Sequence, residues 1–479
     1  MSRKKNLPIL TDVAIADIGA EGKAVARVDG MVIFVPFVVP GDVVDIQLTR
    51  KKKNYAEGRA VAFKHYAERR VETRCPHFGT CGGCRWQTVR YDDQLAAKEK
   101  QVRDTLERLG HVDCSGMRPI SGSPEIYEYR NKLEFTFSNR RWRTDPGVAE
   151  QEEWGALGFH IPGLFDKVLD IDHCALQREP SNAIRNAIRE YAREHALTCY
   201  DIRNHTGFLR NVVVRCSNTG QWMVIVIVAE RDESRLFGLL DHLAAAFPEI
   251  TSLQYIVNEK WNDSYTDLPV ICYRGEDHIV EEMPRYYSAG MLRFKITPKS
   301  FFQTNSRQAQ QLYRHVAELA GLQGDEVVYD LYTGTGTIAH FLAEKCRKVI
   351  GIEYVDDAIA DARTNAILNH HDNTVFFTGD MALALTDKLF VENGHPDVVI
   401  ADPPRAGMHA SVIAKLLETA PRKIVYVSCN PATQARDLEL LSARYDVGCI
   451  QPVDMFPHTQ HVENVVELTL RNGGGPEQR

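Results

Sequence analysis

Long apolar runs are missing from this chain of 479 residues. The longest, MVIFVPFVV and WMVIVIVA, have the length of a strand, whereas a membrane-spanning helix needs roughly 20 apolar residues in succession. The N-terminal stretch MSRKKNLPIL also lacks the apolar core and the cleavage site of a secretory signal. We therefore expect a cytoplasmic protein with no membrane segment. No protein partner is predicted, and we expect a monomer.

An excess of positive charge is missing too, because 57 Lys and Arg residues face 64 Asp and Glu residues, for a net charge of −7. This balance argues against a uniformly basic nucleic-acid-binding protein. Positive charge is nevertheless concentrated in the first third, for example in RKKKNYAEGR at 50–59. A solvated surface explains any single run, but several runs in one region favour a surface that faces a polyanion. The candidates for that surface are Lys51, Lys52, Lys53 and Tyr55.

Disulfides are not expected, since eleven cysteines in a chain without a secretory signal indicate a reducing compartment. Cys75, Cys81 and Cys84 lie within ten residues in CPHFGTCGGC, which indicates a metal site. Zinc sites usually combine two C-x2-C pairs, and one pair with an offset cysteine is closer to iron–sulfur spacing. These residues alone leave zinc and an iron–sulfur cluster open. The candidates for a fourth ligand are His77, Cys114 and Cys174.

The chain divides into three regions, which we place at 1–68, 69–299 and 300–479. The first has about five short strand-like segments separated by Gly and Asp, which predicts a small β-barrel of a kind that often binds RNA. The second mixes strand and helix patterns, with a helix predicted over 91–110. The third alternates strands and helices, which predicts a doubly wound, mostly parallel sheet. Two polar stretches are predicted to be a surface loop and a disordered tail, at 144–155 and 472–479.

The third region also predicts a nucleoside site at the carboxyl edge of its sheet. Gly334 and Gly336 follow the first strand and open a helix in DLYTGTGTIA, where glycines permit a tight turn and a close approach by the ligand. Glu353 ends the second strand, where a carboxylate can accept hydrogen bonds from both ribose hydroxyls. Asp380 ends the third strand, where an adenine amino group could be recognised. These features suit both NAD and S-adenosylmethionine.

The next two strand ends favour a methyltransferase. Asp402 begins DPPR, a rigid acidic loop that could hold a substrate against a methyl donor and that a dehydrogenase would not need. Cys429 ends the fifth strand, and Asn430 and Pro431 have the pattern of a helix N-cap and first helical residue. The dipole of that helix should lower the pKa of the Cys429 thiol from about 8.5 and favour the thiolate.

A carboxylate near the C-terminus completes a set of groups for one reaction. Glu463 precedes the last strand in PHTQHVENVVEL, close to His458 and His461, and could act as a general base. Carbon 5 of uracil becomes nucleophilic when a thiolate adds to carbon 6. It can then take a methyl group, after which a base removes the carbon 5 proton and the thiolate leaves. Cys429 and Glu463 fit these two roles.

On these motifs the sequence resembles the RNA uracil-5-methyltransferases, above all the ribosomal-RNA type with an N-terminal TRAM barrel and an iron–sulfur cluster. The resemblance implies an α/β protein with a Rossmann-like class I methyltransferase domain, an OB-like TRAM barrel and a central α+β iron–sulfur domain. The motifs that carry it are C-x5-C-x2-C at 75–84, DHC at 172–174, SFFQTN at 300–305, DLYTGTGTIA at 330–339, DPPR at 402–405, SCNP at 428–431 and PHTQHVE at 457–463.

The resemblance implies roles for single residues as well. Cys429 becomes the nucleophile and Glu463 the base, and Asn305 would lie nearby unless it caps the helix that follows it. The implied [4Fe-4S] cluster has four ligands: Cys75, Cys81, Cys84 and Cys174. The implied contacts to S-adenosylmethionine are Gln303, Tyr332, Thr337 (through its backbone), Glu353, Asp380 and Asp402.

The resemblance favours a uridine of 23S ribosomal RNA as the target, because family members that act on tRNA generally lack the barrel and the cluster. Such a uridine must be flipped out of its stack to reach the thiol. Besides methylation of tRNA, three other functions fit the sequence less well. An RNA 5-methylcytosine methyltransferase would have a cysteine in its proline loop, which DPPR lacks. A NAD-dependent oxidoreductase or a non-catalytic ribosome-assembly factor would need neither Cys429 nor Glu463.

Overall fold

We describe the chain from a computed structural model, which covers residues 7–19, 22–144 and 154–471. Most of the loop predicted at 144–155 and the whole tail predicted at 472–479 lie outside these residues. Within the covered ranges, no helix is both long enough and apolar enough to cross a bilayer.

The N-terminal strands close into the predicted barrel. Side chains in the fourth strand alternate, with Val44, Ile46 and Leu48 buried and their neighbours partly exposed, as expected when one face of a strand covers a core. An exposed turn at 51–54 carries the basic residues between the last two strands. The strands, which pair in the order 1-2-3-5-4, are β1 (Ile9–Ile18), β2 (Ala24–Val28), β3 (Met31–Val35), β4 (Val43–Lys51) and β5 (Tyr55–His65).

A long helix, α1, occupies the predicted span Tyr91–Gly110. Its buried residues are spaced four apart and therefore share one face: Gln94 and Lys98 in its first half, Val102 and Leu106 in its second. The apolar half packs into the core beneath the C-terminal sheet. The polar half meets a loop of that same sheet, which is described below.

The central region forms a seven-stranded sheet with two helices, in agreement with the predicted α+β character. Its middle strands are buried along their whole length, since both of their faces are covered. The elements are β6 (Lys132–Ser138), β7 (Ala156–His160), β8 (Val168–Asp170), α2 (Ser181–Glu194), β9 (Leu209–Cys216), β10 (Trp222–Val228), α3 (Glu233–Ala246), β11 (Ile250–Val257) and β12 (Ile271–Gly275). The strand order is β12-β11-β10-β9-β6-β7-β8, in which β10 and β11 pair in parallel.

A hairpin and a helix lead into the C-terminal sheet: β13 (Ile279–Pro284), β14 (Met291–Ile296) and α4 (Ser306–Ala320). The strands of the sheet are β15 (Val327–Leu331), β16 (Lys348–Glu353), β17 (Thr374–Thr378), β18 (Val398–Ala401), β19 (Lys423–Ser428), β20 (Tyr445–Val453) and β21 (Glu463–Leu470). The helices between them are α5 (Thr337–Leu342), α6 (Asp356–Asn369), α7 (Met381–Ala384), α8 (Asp387–Asn393), α9 (Ala410–Thr419) and α10 (Pro431–Leu441), and a one-turn 3-10 helix follows α5 (Ala343–Lys345).

The order of this sheet is β17-β16-β15-β18-β19-β21-β20. The five predicted strands, β15 to β19, are confirmed and run parallel, whereas β21 is antiparallel to both of its neighbours. The chain changes direction across the sheet between β15 and β18, and open α/β sheets bind ligands at the carboxyl ends of the strands beside such a switch point. The described structure therefore confirms the predicted Rossmann-like fold and directs attention to one edge.

Candidate active site

The glycine loop after β15 is organised by a carboxylate to which the sequence analysis gave no role. Asp330 accepts hydrogen bonds from the Thr333 hydroxyl at 2.5 Å and from the Ala339 backbone amide at 3.1 Å. These two bonds hold both ends of the loop to the strand. Gly336 has a φ of +77°, and a Cβ there would lie 3.0 Å from the Phe376 ring. Glycine is therefore needed at this turn for both conformation and space.

Two carboxyl groups, those of the buried Asp330 and the half-buried Asp402, lie close enough for the charge of one to affect the other. Burial raises the pKa of Asp330 to about 7, and Oδ1 of Asp330 has no hydrogen-bond partner within the described chain. Burial also raises the pKa of Asp402 to about 7, and the charge of Asp330 adds to the effect. A bound cation would offset this crowding of negative charge. These two carboxyl groups therefore suit a positively charged ligand such as a sulfonium.

Three predicted ligand contacts lie at or just beyond the carboxyl ends of neighbouring strands: Tyr332 after β15, Glu353 at the end of β16 and Asp380 after β17. Glu353 accepts hydrogen bonds from the backbone amides of Gly334 at 3.2 Å and Tyr354 at 2.8 Å. Asp380 is exposed and caps α7. Burial raises the pKa of Tyr332 to about 12, and the charges of Asp437, Asp380 and Glu353 add to it. The carboxylates predicted to contact adenine and ribose are thus both close enough to affect the pKa of Tyr332.

The two remaining predicted ligand contacts border helix α4, since Gln303 precedes it in sequence and Thr337 contacts Tyr313 within it. Gln303 is buried between β14 and α4, where its carbonyl accepts a hydrogen bond from the Asn131 side chain at 2.8 Å. Thr337 begins α5 and donates to the hydroxyl of Tyr313 at 3.3 Å. Tyr313 was not predicted from the sequence, because it stands at an ordinary apolar position of α4. Burial raises its pKa, with further contributions from carboxylates of the cleft.

The nucleophile and base candidates meet through strand pairing. Ser428, the last residue of β19, pairs with Asn464 of β21. Because the two strands are antiparallel, the next residue along β19 and the preceding one along β21 are Cys429 and Glu463. Both side chains therefore lie at the carboxyl edge, next to Asp402, whose charge affects the pKa of each.

The predicted ionisation of Cys429 is wrong for this arrangement of side chains. Asn430 does cap α10, and Pro431 is its first residue, as expected. Burial nevertheless raises the pKa of Cys429, and with the carboxylates of Glu463 and Asp402 it brings the value to about 11, while Arg405 opposes them. The burial of the sulfur and the two nearby carboxylates thus act against the expected thiolate.

Glu463 is buried and its pKa is raised well above the usual value, first by burial and then by the charge of Asp402. Arg405, which belongs to the DPPR loop, lowers it. Burial also lowers the pKa of His458 and of His461 to about 4, so both rings are neutral near pH 7. Asn305 caps α4 with its side chain and also donates to the carbonyl of Met455, at the start of the loop that leads to Glu463.

The three clustered cysteines and Cys174 line one cavity of about 160 Å³. Burial raises the pKa of Cys81 to about 11 and of Cys84 to about 12, and each also feels the charge of Cys174. Cys114 packs instead under the C-terminal sheet. His77 lines the cavity, but its Nε2 accepts a hydrogen bond from the amide of Asp172 at 3.1 Å. In the described ranges, no three His, Cys, Asp or Glu side chains converge on a point that could hold a single ion.

Two family models match the chain: one described as tRNA (Uracil-5-)-methyltransferase at residues 274–471, and the TRAM domain at residues 11–61. An uncharacterized RNA methyltransferase of Bacteroides thetaiotaomicron is 54% identical over 95% of this chain and 100% of its own length. The chain belongs to the S-adenosylmethionine-dependent RNA uracil-5-methyltransferase family. An uncharacterized RNA methyltransferase of Chlorobaculum tepidum is 39% identical to this methyltransferase over 95% of both chains.

A solved structure resembles this methyltransferase over nearly its full length. It is the Pyrococcus abyssi tRNA (uracil-54, C5)-methyltransferase in complex with S-adenosyl-L-homocysteine, with 29% identity, a TM-score of 0.72 and coverage of 95% of this chain and 99% of that one. This neighbour is named for a tRNA uridine and the Bacteroides and Chlorobaculum relatives are uncharacterized, so the expected 23S ribosomal RNA target stays a prediction.

Proposed function

We propose that the protein transfers a methyl group from S-adenosylmethionine to carbon 5 of a uridine in 23S ribosomal RNA. The proposal rests chiefly on the pairing of β19 with β21, since this pairing brings a thiol and a carboxyl group together at the ligand edge of the sheet. In this proposal Cys429 is the nucleophile and Glu463 is the base. The side chains that would hold the methyl donor are Gln303, Tyr332, Thr337, Glu353, Asp380 and Asp402.

The two side chains have separate steps to perform. The Cys429 thiol gives its proton to water and its sulfur forms a bond to carbon 6, while the electrons of the 5,6 double bond move onto the oxygen at carbon 4. Those electrons then form the bond from carbon 5 to the methyl group that S-adenosylmethionine supplies, and S-adenosylhomocysteine is left. Glu463 then removes the proton from carbon 5, the 5,6 double bond re-forms, and the carbon–sulfur bond breaks to release the thiolate.

The charges of the cleft support a bound cation during this sequence. The pKa of Cys429 is raised to about 11 and that of Glu463 is raised well above its usual value. Both shifts favour the protonated forms, whereas the reaction needs first a thiolate and then a carboxylate. A positive charge next to Asp402 would lower both pKa values. Arg405 already acts in that direction on both groups.

The chemistry is tested with tritiated S-adenosylmethionine and unmodified 23S ribosomal RNA, with mass spectrometry to locate the product. We expect 5-methyluridine, its loss in Cys429→Ala, and normal activity in Cys449→Ala, a half-buried cysteine of β20 in the same sheet. Equal activity in Cys429→Ala would refute the mechanism. RNA binding without any methyl transfer would favour a non-catalytic assembly factor instead.

A tRNA uridine is the second candidate target. The likeness to the Pyrococcus abyssi tRNA (uracil-54, C5)-methyltransferase favours it. Unmodified tRNA transcripts are therefore included in the same assay at equal uridine concentration. A kcat/KM at least tenfold higher on 23S ribosomal RNA supports the first candidate, and the reverse ratio supports the second.

We propose further that Cys75, Cys81, Cys84 and Cys174 hold a [4Fe-4S] cluster. The four thiols line one cavity of about 160 Å³. Three clustered cysteines with one distant cysteine are the kind of ligand set that iron–sulfur clusters use. When bound, the cluster would tie residues 75–84 to residue 174, and the proposed methyl transfer involves no electron exchange.

Metal analysis tests the cluster. Protein purified without oxygen is expected to be brown, with about four iron and four sulfide per chain, and Cys174→Ser should lose both. Cys199→Ser is the matched control, because Cys199 is equally buried in the same core but does not line the cavity. A colourless protein with one zinc would overturn the proposal.

We also propose a division of labour along the chain: RNA binding by the barrel at 1–68, cluster and RNA binding at 69–299, and methyl transfer at 300–479. The hairpin β13–β14 packs into the same core as β15 and α4. This contact links the central region to the methyltransferase sheet directly before the proposed boundary at residue 300.

A further inference from the structure

The loop at 454–462 connects β20 to β21 and ends at the base. Val453, which precedes the loop, pairs with Glu463, which follows it. The loop is therefore closed by the residue that carries the catalytic carboxyl group. The anchors of the loop are therefore in a position to fix where that carboxyl group points.

Its first half is anchored by a buried ion pair. The Lys98 ammonium lies 2.5 Å from Oδ1 of Asp454, and both side chains are completely buried. The same ammonium donates to the carbonyl of Phe456 at 3.1 Å, and Tyr91 donates from its hydroxyl to Asp454 at 2.9 Å. A buried charge without its partner is strongly unfavourable, so the loop is held to α1 at this point.

Its middle is anchored by His458, which adopts a left-handed φ of +66°. The carbonyl of His458 accepts hydrogen bonds from the amides of Arg85 at 2.8 Å and Trp86 at 3.1 Å. Its own amide donates to Gln94 Oε1 at 2.8 Å, and the ring Nδ1 lies 3.2 Å from Gln94 Nε2. The adjacent Pro457 carbonyl accepts from the Tyr129 hydroxyl at 3.0 Å. These partners precede the loop at 454–462 by more than 300 residues in sequence.

We propose that Lys98, Asp454, Gln94 and Tyr129 are positioning residues that hold the loop at 454–462 so that Glu463 can remove the proton from carbon 5. The proposal rests on the proposed function, in which Glu463 is the base. Arg85, whose amide binds the loop, directly follows Cys84. The segment that carries the clustered cysteines thus helps to hold the loop that ends at Glu463, although it contributes no group to the reaction.

This arrangement predicts which chemical step suffers when the anchors are removed. Proton removal comes after methyl transfer, so a misplaced base leaves carbon 5 with both its proton and the new methyl group. The bond from Cys429 sulfur to carbon 6 then persists. A covalent adduct between protein and RNA accumulates on ordinary uridine, whereas general damage to the fold would slow both steps together.

The test is a single-turnover reaction with tritiated-methyl donor and whichever RNA the wild-type protein methylates. Label that remains attached to denatured protein is compared with label in free RNA. We expect the ratio of adduct to product to rise on the order of tenfold in Asp454→Ala, less in Asp454→Asn, which keeps an oxygen acceptor, and severalfold in Tyr129→Phe. Tyr445→Phe is the matched control, because its buried hydroxyl also donates to a proline carbonyl at 3.0 Å, that of Pro421.

An unchanged ratio in Tyr129→Phe and Asp454→Asn, or an equal rise in Tyr445→Phe, would overturn the proposal. Tyr129→Phe removes one oxygen atom, and it decides the question if Asp454→Ala does not fold. Failure of the proposed function is distinguishable, because wild-type protein would then produce neither adduct nor methylated RNA.

Discussion

At the scale of single residues, the ionisation of Cys429 governs the proposed chemistry. With its pKa raised to about 11 by burial and two carboxylates, only a small fraction of the thiol is ionised at pH 7. The thiolate fraction grows as pH rises toward that value. A cation bound beside Asp402 should shift the whole curve to lower pH.

We therefore expect alkylation of Cys429 by iodoacetamide to accelerate steadily between pH 7 and pH 10. Saturating S-adenosylmethionine should raise the rate at pH 8 relative to S-adenosylhomocysteine, which lacks only the methyl group and therefore has a neutral sulfur. Peptide mass spectrometry measures the modification at each pH, and Cys449 serves as an internal control whose rate should be the same with either compound. A lower rate with S-adenosylmethionine than with S-adenosylhomocysteine at every pH would contradict this account.

The positions of the site residues could be predicted because parallel strands bring their carboxyl ends to one edge, so Glu353, Asp402 and Cys429 follow from strand boundaries alone. Their ionisation could not. The pKa of Cys429 depends on Glu463, which is 34 positions away in sequence and reaches it only through antiparallel pairing. Tyr313 was not predicted, because it occupies an apolar position of α4 and the sequence does not show that its hydroxyl contacts Thr337.

At the scale of secondary-structure elements, the turn from β15 into α5 depends on the absence of a side chain at Gly336. A Cβ there would lie 3.0 Å from Phe376, 3.1 Å from Ala362 and 3.1 Å from His340. A positive φ costs a non-glycine residue about 1–2 kcal/mol, and overpacking adds about 1–3 kcal/mol. Both costs should appear together in Gly336→Ala.

We expect Gly336→Ala to lower the thermal unfolding midpoint and to weaken S-adenosylmethionine binding in calorimetric titrations. Gly220→Ala is the control, because Gly220 also has a positive φ, +85°, but open space around its Cβ position. It should lose less stability and retain its affinity for S-adenosylmethionine. Equal losses in the two variants would mean that crowding at the turn is unimportant.

The barrel hairpin between β4 and β5 carries the exposed candidates for RNA contact, Lys51, Lys52 and Lys53. If they meet phosphates, each Lys→Ala variant should weaken RNA binding irrespective of sequence and reduce the slope of log affinity against log salt by about 0.7. Fluorescence anisotropy over a salt series measures this slope. Lys388→Ala, an equally exposed lysine of α8, should leave it unchanged; an equal effect there would indicate nonspecific attraction.

Prediction succeeded for elements with a clear period and failed where the period is broken. β15 to β19 are short apolar runs between helices, and α1 has buried residues four apart over Tyr91–Gly110. β20 was not predicted, because Gly448 and Pro452 interrupt its alternation and its register shifts beside Gly448. β8 has only three residues, too few for a pattern, and exists because β7 pairs with it.

At the scale of the whole molecule, the chain is closed by contacts between its first quarter and its last tenth. Lys98 and Asp454 are 356 positions apart, yet their side chains form a completely buried pair. Helix α1 therefore belongs structurally to the C-terminal sheet, although it directly follows the barrel and the clustered cysteines. Variants can separate the contribution of this pair to stability from its proposed contribution to catalysis.

Lys98→Met alone should lower the free energy of unfolding by about 3–5 kcal/mol, because it leaves the Asp454 carboxylate buried without a counter-ion. The double variant Lys98→Met with Asp454→Asn should recover most of that loss, since no unpaired charge remains and the amide oxygen can still accept from the Phe456 backbone. Denaturant unfolding measures both values.

Lys100→Met is the control. It breaks the exposed pair with Asp17 and should lower the free energy of unfolding by less than about 1 kcal/mol. If the double variant is as unstable as Lys98→Met, the pair is not what closes the chain; if it recovers stability but still accumulates the covalent adduct, the pair positions the base as well.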